Sequence, residues 1–244
     1  SSVFRPESRY RALFLSLLLS TIGYGLYKGI FDNYMAEVVQ MNELDRGITE
    51  FFRELPGFLL VFVLAIFYRA SAERIYKAGM VIMVIGMFAQ AYVEPYKFLV
   101  MGVIFAYSLG EHLQLGMRST LSLEYSNPGH GGRALGWQNA VYQIGNLLGF
   151  IVIIAVFAFV DSSAGLYRNV FIAAAFCLLA AALVSFLLHG SSSSDKSKSR
   201  FYFRRKFTKY YMLEVFYGAR KQVFFTFGPY VLILFYKADA GVIS

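Results

Sequence analysis

Tyr24, Lys28 and Asp32 are spaced four residues apart inside a long apolar run. On a helix this spacing places a phenol, an ammonium and a carboxylate along one face. A lysine at membrane depth costs about 2.5–3.5 kcal/mol on insertion scales, so Lys28 must face something other than hydrocarbon. Two uses are open: it pairs with Asp32 and holds the helix packing, or it binds an anionic substrate group. A second apolar run repeats the pattern. Ile22-Gly-Tyr-Gly-Leu-Tyr-Lys-Gly-Ile-Phe31 is echoed by Val215-Phe-Tyr-Gly-Ala-Arg-Lys-Gln-Val-Phe224, which aligns Tyr24 with Tyr217, Lys28 with Lys221 and Phe31 with Phe224. Arg220 stands beside Lys221. One cation from each repeat could flank a shared site for a phosphate or carboxylate.

Two further groups could do chemistry. Glu111, Gln114 and Arg118 share a helical face, with His112 adjacent. A buried carboxylate and an imidazole suit proton coupling, because burial raises a carboxyl pKa and nearby cations lower it. A structural pair between Glu111 and a basic neighbour is the other reading. Asn139, Tyr142, Gln143 and Asn146 form a polar stripe at helical period. Such a stripe serves interhelical hydrogen bonding or a wall that bonds substrate. Hydrolytic chemistry finds no support. His112, His130 and His189 are scattered, no Ser/His pair or His-Glu-x-x-His run occurs, and no glycine loop could cradle a nucleotide phosphate. No metal or cofactor is expected.

The elements that position these residues are long apolar helices. Of 244 residues, 57% are hydrophobic, 18% aromatic and 16% charged. Soluble domains are nearer half apolar and a quarter charged, so this composition points to an all-α, polytopic membrane bundle. Seven apolar runs can be counted, at about Ala12–Met35, Phe51–Phe67, Ala78–Val93, Phe98–Met117, Leu135–Val160, Val170–Leu188 and Tyr210–Phe235. Pro56 and Pro229 lie inside two of them and should bend them. Cys177, the single cysteine, lies in an apolar run and reads as a packing residue.

Basic residues set the orientation. Arg5, Arg9, Arg11, Arg69, Arg74, Lys77, Arg133 and the cluster from Lys196 to Lys209 fall on one side. The other loops hold only Arg46, Arg53, Lys97, Arg168 and Lys237, beside several acids. The positive-inside rule then places the N-terminus in the cytoplasm. The net charge of +8 reflects this asymmetry rather than nucleic-acid binding. The polar stretch from Gly190 to Ser199, with the basic cluster after it, reads as a cytoplasmic linker drawn to anionic lipid.

Six spans, a basic linker and a seventh span repeating the first resemble the major facilitator superfamily of secondary transporters. Arg69-Ala-Ser-Ala-Glu73-Arg74-Ile-Tyr76-Lys77 is similar to that family's loop signature Gly-x-x-x-Asp-Arg-x-Gly-Arg-Arg, with Glu73, Arg74 and Lys77 keeping the charges and both glycines replaced. Gly145-x-x-x-Gly149 lacks the Gly-Pro-x-x-Gly-Gly of drug antiporters. Ile48-Thr-Glu-Phe-Phe-Arg-Glu-Leu-Pro-Gly-Phe58 resembles uncharacterised bacterial members.

The resemblance implies a six-helix N-terminal half over residues 1–189, a basic linker over 190–208, and the first helix of a C-terminal half over 209–244. Gly241-Val242-Ile243 answers Gly47-Ile48-Thr49 and should lead into an eighth span, so a truncated protein missing the rest of its C-terminal half is expected. The first, fourth and seventh helices would line the cavity, and the third and sixth, which carry no charge, would lie outside it. The expected function is alternating-access transport of a small, anionic organic solute across the cell inner membrane, coupled to protons or exchange. Substrate would meet Tyr24, Lys28, Asn139, Tyr142, Asn146, Tyr217, Arg220 and Lys221. Asp32, Glu111 and His112 are the proton-coupling candidates, and Glu73, Arg74 and Lys77 form the gating loop. Efflux of a neutral or drug-like solute, a seven-span receptor or retinal protein, and a membrane-embedded enzyme are the alternatives.

Overall fold

The computed structural model describes residues 2–189 and 205–243; within the last long helix, the side chains of 210–211, 214–215, 217–223 and 225 lie outside that description. Among the described residues, eight α-helices follow one another: α1 (Tyr10–Asn33), α2 (Glu43–Ile66), α3 (Ala72–Tyr92), α4 (Lys97–Tyr125), α5 (Gly131–Phe157), α6 (Ala164–Ser185), α7 (Thr208–Tyr236) and the short α8 (Ala240–Ile243). Among the described residues no strand occurs. The expected linker falls largely on 190–204, outside the described residues. Among the described residues, five segments are long and apolar enough to cross a membrane: Tyr10–Val38, Ala72–Tyr92, Lys97–Tyr125, Gly131–Phe157 and Ala164–Ser185. The second and seventh expected spans are also continuous helices, with Pro56 and Pro229 inside them. Helix α2 is set apart by its charged first half.

Helix packing gives a closed arrangement. Helix α4 lies against α2 and α3, α3 against α6, α6 against α1, and α1 against α5. Apolar side chains supply little drive between helices in lipid, so close backbone approach matters more. A Cβ on Gly25 would lie 2.5 Å from the carbonyl oxygen of Asn146, and one on Gly149 would lie 2.6 Å from that of Ile22. Only glycine lets α1 and α5 meet this closely, and Gly79 and Gly110 do the same for α3 and α4. Polar bonds then pin the register. Ser16 Oγ donates to the Ala181 carbonyl at 2.9 Å and lies 3.2 Å from the Tyr76 hydroxyl, tying α1 to α6 and α3.

The two ends are closed differently. At the basic end, Phe4 pairs with Ser126 in an isolated bridge, and Arg5 Nε donates to the Ser126 carbonyl at 3.1 Å. At the opposite end, α7 reaches α1, α2 and the π-helical turn Tyr34–Val38 that extends α1. There Asn33 Nδ2 donates to the Ala238 carbonyl at 2.9 Å, and the Tyr230 hydroxyl donates to the Met41 carbonyl. Helix α8 packs on α5 and α1. Cys177 is half-buried in α6, as a packing residue would be.

Candidate functional site

Helix α2 starts earlier than its apolar run implies, and this changes the site. Asn42 and Asp45 cap it reciprocally: the Asn42 side chain accepts from the Asp45 N–H at 2.9 Å, and Asp45 Oδ2 accepts from the Asn42 N–H at 3.1 Å. The helix therefore begins at Glu43, and Arg46, Glu50 and Arg53 fall on one helical face instead of in a loop. The placement of Arg46 and Arg53 among loop cations is thus corrected: Arg46 is 0% exposed and Arg53 is half-buried. The signal was present in the sequence, as the Asn42-x-x-Asp45 cap followed by charges at helical spacing.

Arg46 is the hub of a charge network spanning two helices. Its Nε donates to Asp32 Oδ1 at 3.0 Å and its Nη1 to Glu50 Oε2 at 2.7 Å. Lys28 Nζ lies 3.6 Å from Asp32 Oδ2. Arg53 Nη2 donates to Glu50 Oε1 at 2.5 Å and lies 2.6 Å from Glu54 Oε1. Lys28 Nζ and the Arg46 guanidinium both lie by the buried ring of Phe31, at 5.1 and 5.5 Å from its centroid. From Lys28 through Asp32, Arg46, Glu50 and Arg53 to Glu54 the signs alternate, so three cations face three carboxylates. This is the arrangement that lets charge stay inside an apolar bundle.

Helix α4 closes the network from the other side. Ser108 Oγ donates to the Arg53 carbonyl. It also lies 3.0 Å from His112 Nδ1. His112 Nε2 is 3.8 Å from Glu54 Oε2. Glu111 is buried, 7% exposed, with no ion pair among the described residues. The structural pairing expected as one option for Glu111 is therefore absent there, while the structural pairing of Lys28 with Asp32 is present. Lys28 still keeps 25% of its side chain exposed, against 3% for Asp32.

The aromatic wall continues the site toward the basic end. The Tyr24 and Tyr142 ring centroids are 6.5 Å apart, and the Arg118 guanidinium lies 4.0 Å from the Tyr142 centroid. Tyr27 lies between Tyr107 and Phe31, with tilted rings and centroids 4.9 and 5.0 Å away. Asn146 lies one turn beyond Tyr142 with a buried, unpartnered Oδ1. Asn139 is exposed and stands apart from this cluster; its neighbour Gln138 is the buried one, accepting from Ser119 Oγ at 3.2 Å. Tyr217, Arg220 and Lys221 have their backbone in α7, and their side chains lie outside the described residues.

The loop residues Glu73, Arg74 and Lys77 sit at the basic end. Glu73 Oε1 accepts from Ser71 Oγ at 2.6 Å, Arg74 is exposed, and Lys77 Nζ donates to the Leu188 carbonyl at 2.8 Å, bracing α3 against the end of α6. At the opposite end, Asp45 precedes the apolar part of α2 and meets Lys97 Nζ at 2.5 Å. The Lys97 ammonium and the Asn42 N–H hold its carboxyl below the usual carboxylate range. No group of three or more His, Cys, Asp or Glu able to hold a metal is found among the described residues.

A helix bundle with paired charges inside and two-residue bridges between helices fits solute passage better than bond-breaking chemistry. The comparison with known proteins agrees. No curated protein is detectably similar in sequence to the chain. The sequence profile of the Major Facilitator Superfamily matches residues 13–240, which is nearly the whole chain. This is a family of membrane transporters that bind small-molecule substrates within the bilayer and are not enzymes. The chain belongs to the major facilitator superfamily.

Proposed function

We propose that this secondary transporter moves a small organic acid by alternating access and couples that movement to protons or to a counter-solute. The observation that carries the reading is the charge balance of the interior. Lys28, Arg46 and Arg53 are matched by Asp32, Glu50 and Glu54. Glu111, His112 and Arg118 remain. They are neutral together when Glu111 is ionised and His112 is uncharged, so a proton gained by either leaves a net positive charge inside the bundle. An anion beside Lys28, or release of that proton, restores the balance. Such an exchange is the physical basis of coupling.

In this reading Tyr24, Lys28, Tyr142 and Asn146 meet substrate from one side. Asn139 joins them where it faces the passage, and Tyr217, Arg220 and Lys221 approach from α7. Asp32, Glu111 and His112 handle the proton. Glu73, Arg74 and Lys77 steady the basic end during rocking. The basic end faces the cytoplasm across the cell's inner membrane, and the cluster from Lys196 to Lys209 rests on anionic lipid. The test uses the complete gene product in proteoliposomes, with labelled succinate, glycerol 3-phosphate, glycerol and choline as probes. Uptake of an acid that Glu111→Gln renders independent of pH supports the reading. Uptake confined to glycerol or choline refutes it.

A further inference from the structure

Arg118 is the one interior cation of α1, α2 and α4 with no carboxylate partner among the described residues. Its Nε and Nη1 are both buried and both lack a hydrogen-bond partner. Leaving a buried donor unmade costs about 1–3 kcal/mol each, more when the group is charged. Lys28 and Arg53 are each satisfied by a neighbouring acid, and Arg46 holds two, so a substrate would have to compete with Asp32 or Glu50 for any of them. Arg118 offers its donors uncontested.

The side chain is also placed and held. It projects back along α4 toward the middle of the helix, and its guanidinium stacks 4.0 Å from the centroid of Tyr142. Tyr142 is about two residues, or ~3 Å, from the midpoint of α5, so the charge sits near mid-depth rather than at the basic end. Tyr142 in turn faces Tyr24 at 6.5 Å, which brings α4, α5 and α1 to one spot. Stacking fixes the plane of the guanidinium. Nη1–H and the neighbouring Nη2–H then point the same way at the end of the guanidinium, and that edge matches the two oxygens of one carboxylate or phosphate. Asn146, one turn beyond Tyr142, presents an unpartnered acceptor that would take a hydroxyl or amine hydrogen of the same solute.

We infer that the Nη1–Nη2 edge of Arg118, laid on Tyr142, grips the acidic group of the transported solute in a two-point bond. The inference rests on the acidic-solute reading above and names the residue that recognises the acid. Lys28, paired with Asp32 at 3.6 Å, is the second cation beside that carboxylate.

The test is thermal unfolding of the complete gene product in phosphatidylcholine nanodiscs, titrated with succinate and with glycerol 3-phosphate. A neutral bilayer removes anionic headgroups as a competing source of oxyanion. Glycerol and choline serve as uncharged and cationic probes. At least one acid should raise the unfolding midpoint. Arg118→Gln should abolish that shift, and Arg118→Lys, which keeps the charge and loses the fork, should weaken apparent affinity by about 10-fold or more. The Lys variant preserves a readout should the Gln variant fail to fold. Protection that survives unchanged in Arg118→Lys overturns the assignment and leaves the acidic-solute reading standing. Protection by neither acid overturns both.

Discussion

Arg46→Met should destabilise the protein far more than any exposed charge removal. Arg46 is 0% exposed and makes charge-assisted bonds of 3.0 and 2.7 Å to Asp32 and Glu50. Removing one partner of a buried ion pair costs about 3–5 kcal/mol, because the other charge stays behind. Here each carboxylate keeps a second cation: Lys28 at 3.6 Å for Asp32 and Arg53 at 2.5 Å for Glu50. The cost therefore falls at the low end, about 3 kcal/mol. For a chain of this length that corresponds to a fall of about 6–12 °C in the unfolding midpoint. Asp32→Asn alone should cost about 2 kcal/mol, since Arg46 retains Glu50. The double variant should cost less than the sum by at least about 1 kcal/mol, because the two groups share one bond. The assay is thermal unfolding in one detergent at one scan rate, with Glu94→Gln, an exposed acid outside the network, as the reference. A midpoint change for Arg46→Met no larger than that of Glu94→Gln, or strict additivity with Asp32→Asn, would refute the hub.

Other expectations follow from single contacts. Gly149→Val should disrupt the α1–α5 contact, since even a Cβ there would lie 2.6 Å from the Ile22 carbonyl oxygen; loss of folded yield with an unchanged Gly102→Ala, where nothing lies within 4 Å, checks this. The Asp45–Lys97 bond has a defined pH sign. A carboxyl held below its unfolded value stabilises the fold above that value and loses its contribution as pH falls through the folded one. Acidification below about pH 4 should therefore lower the unfolding midpoint more in the parent than in Asp45→Asn. Lys237 caps α7 in the left-handed region at φ 56°, so Lys237→Gly should raise stability by about 1 kcal/mol, read from the same unfolding curves.

The helices and the Lys28–Asp32 spacing were legible because apolar length and a four-residue period are local properties. So was the α4 group, with Glu111 and His112 both facing inward. The hub was not legible from hydropathy. Arg46 and Glu50 lower the apolarity of the first half of α2, so a window tuned to apolar runs begins the helix at Phe51. The cap at Asn42 and the partner across the bundle are what set its true start. Glu54 was missed for a related reason: its meaning depends on His112, on another helix. Asn139 shows the converse case. A polar stripe at helical period marks a face, but burial within the bundle falls on the neighbouring Gln138 while Asn139 is exposed. Distance across the bundle, not spacing along the chain, decides such cases.

The most direct measurement is uptake of a labelled dicarboxylate such as succinate by proteoliposomes holding the complete gene product, followed while the lumenal pH and the external pH are set independently. Uptake that rises with an imposed proton gradient or with a preloaded counter-acid, and that disappears when Lys28 and Arg118 are both neutralised, is what the interior charge balance predicts. Equal movement of neutral glycerol in the parent and in that double variant would contradict it.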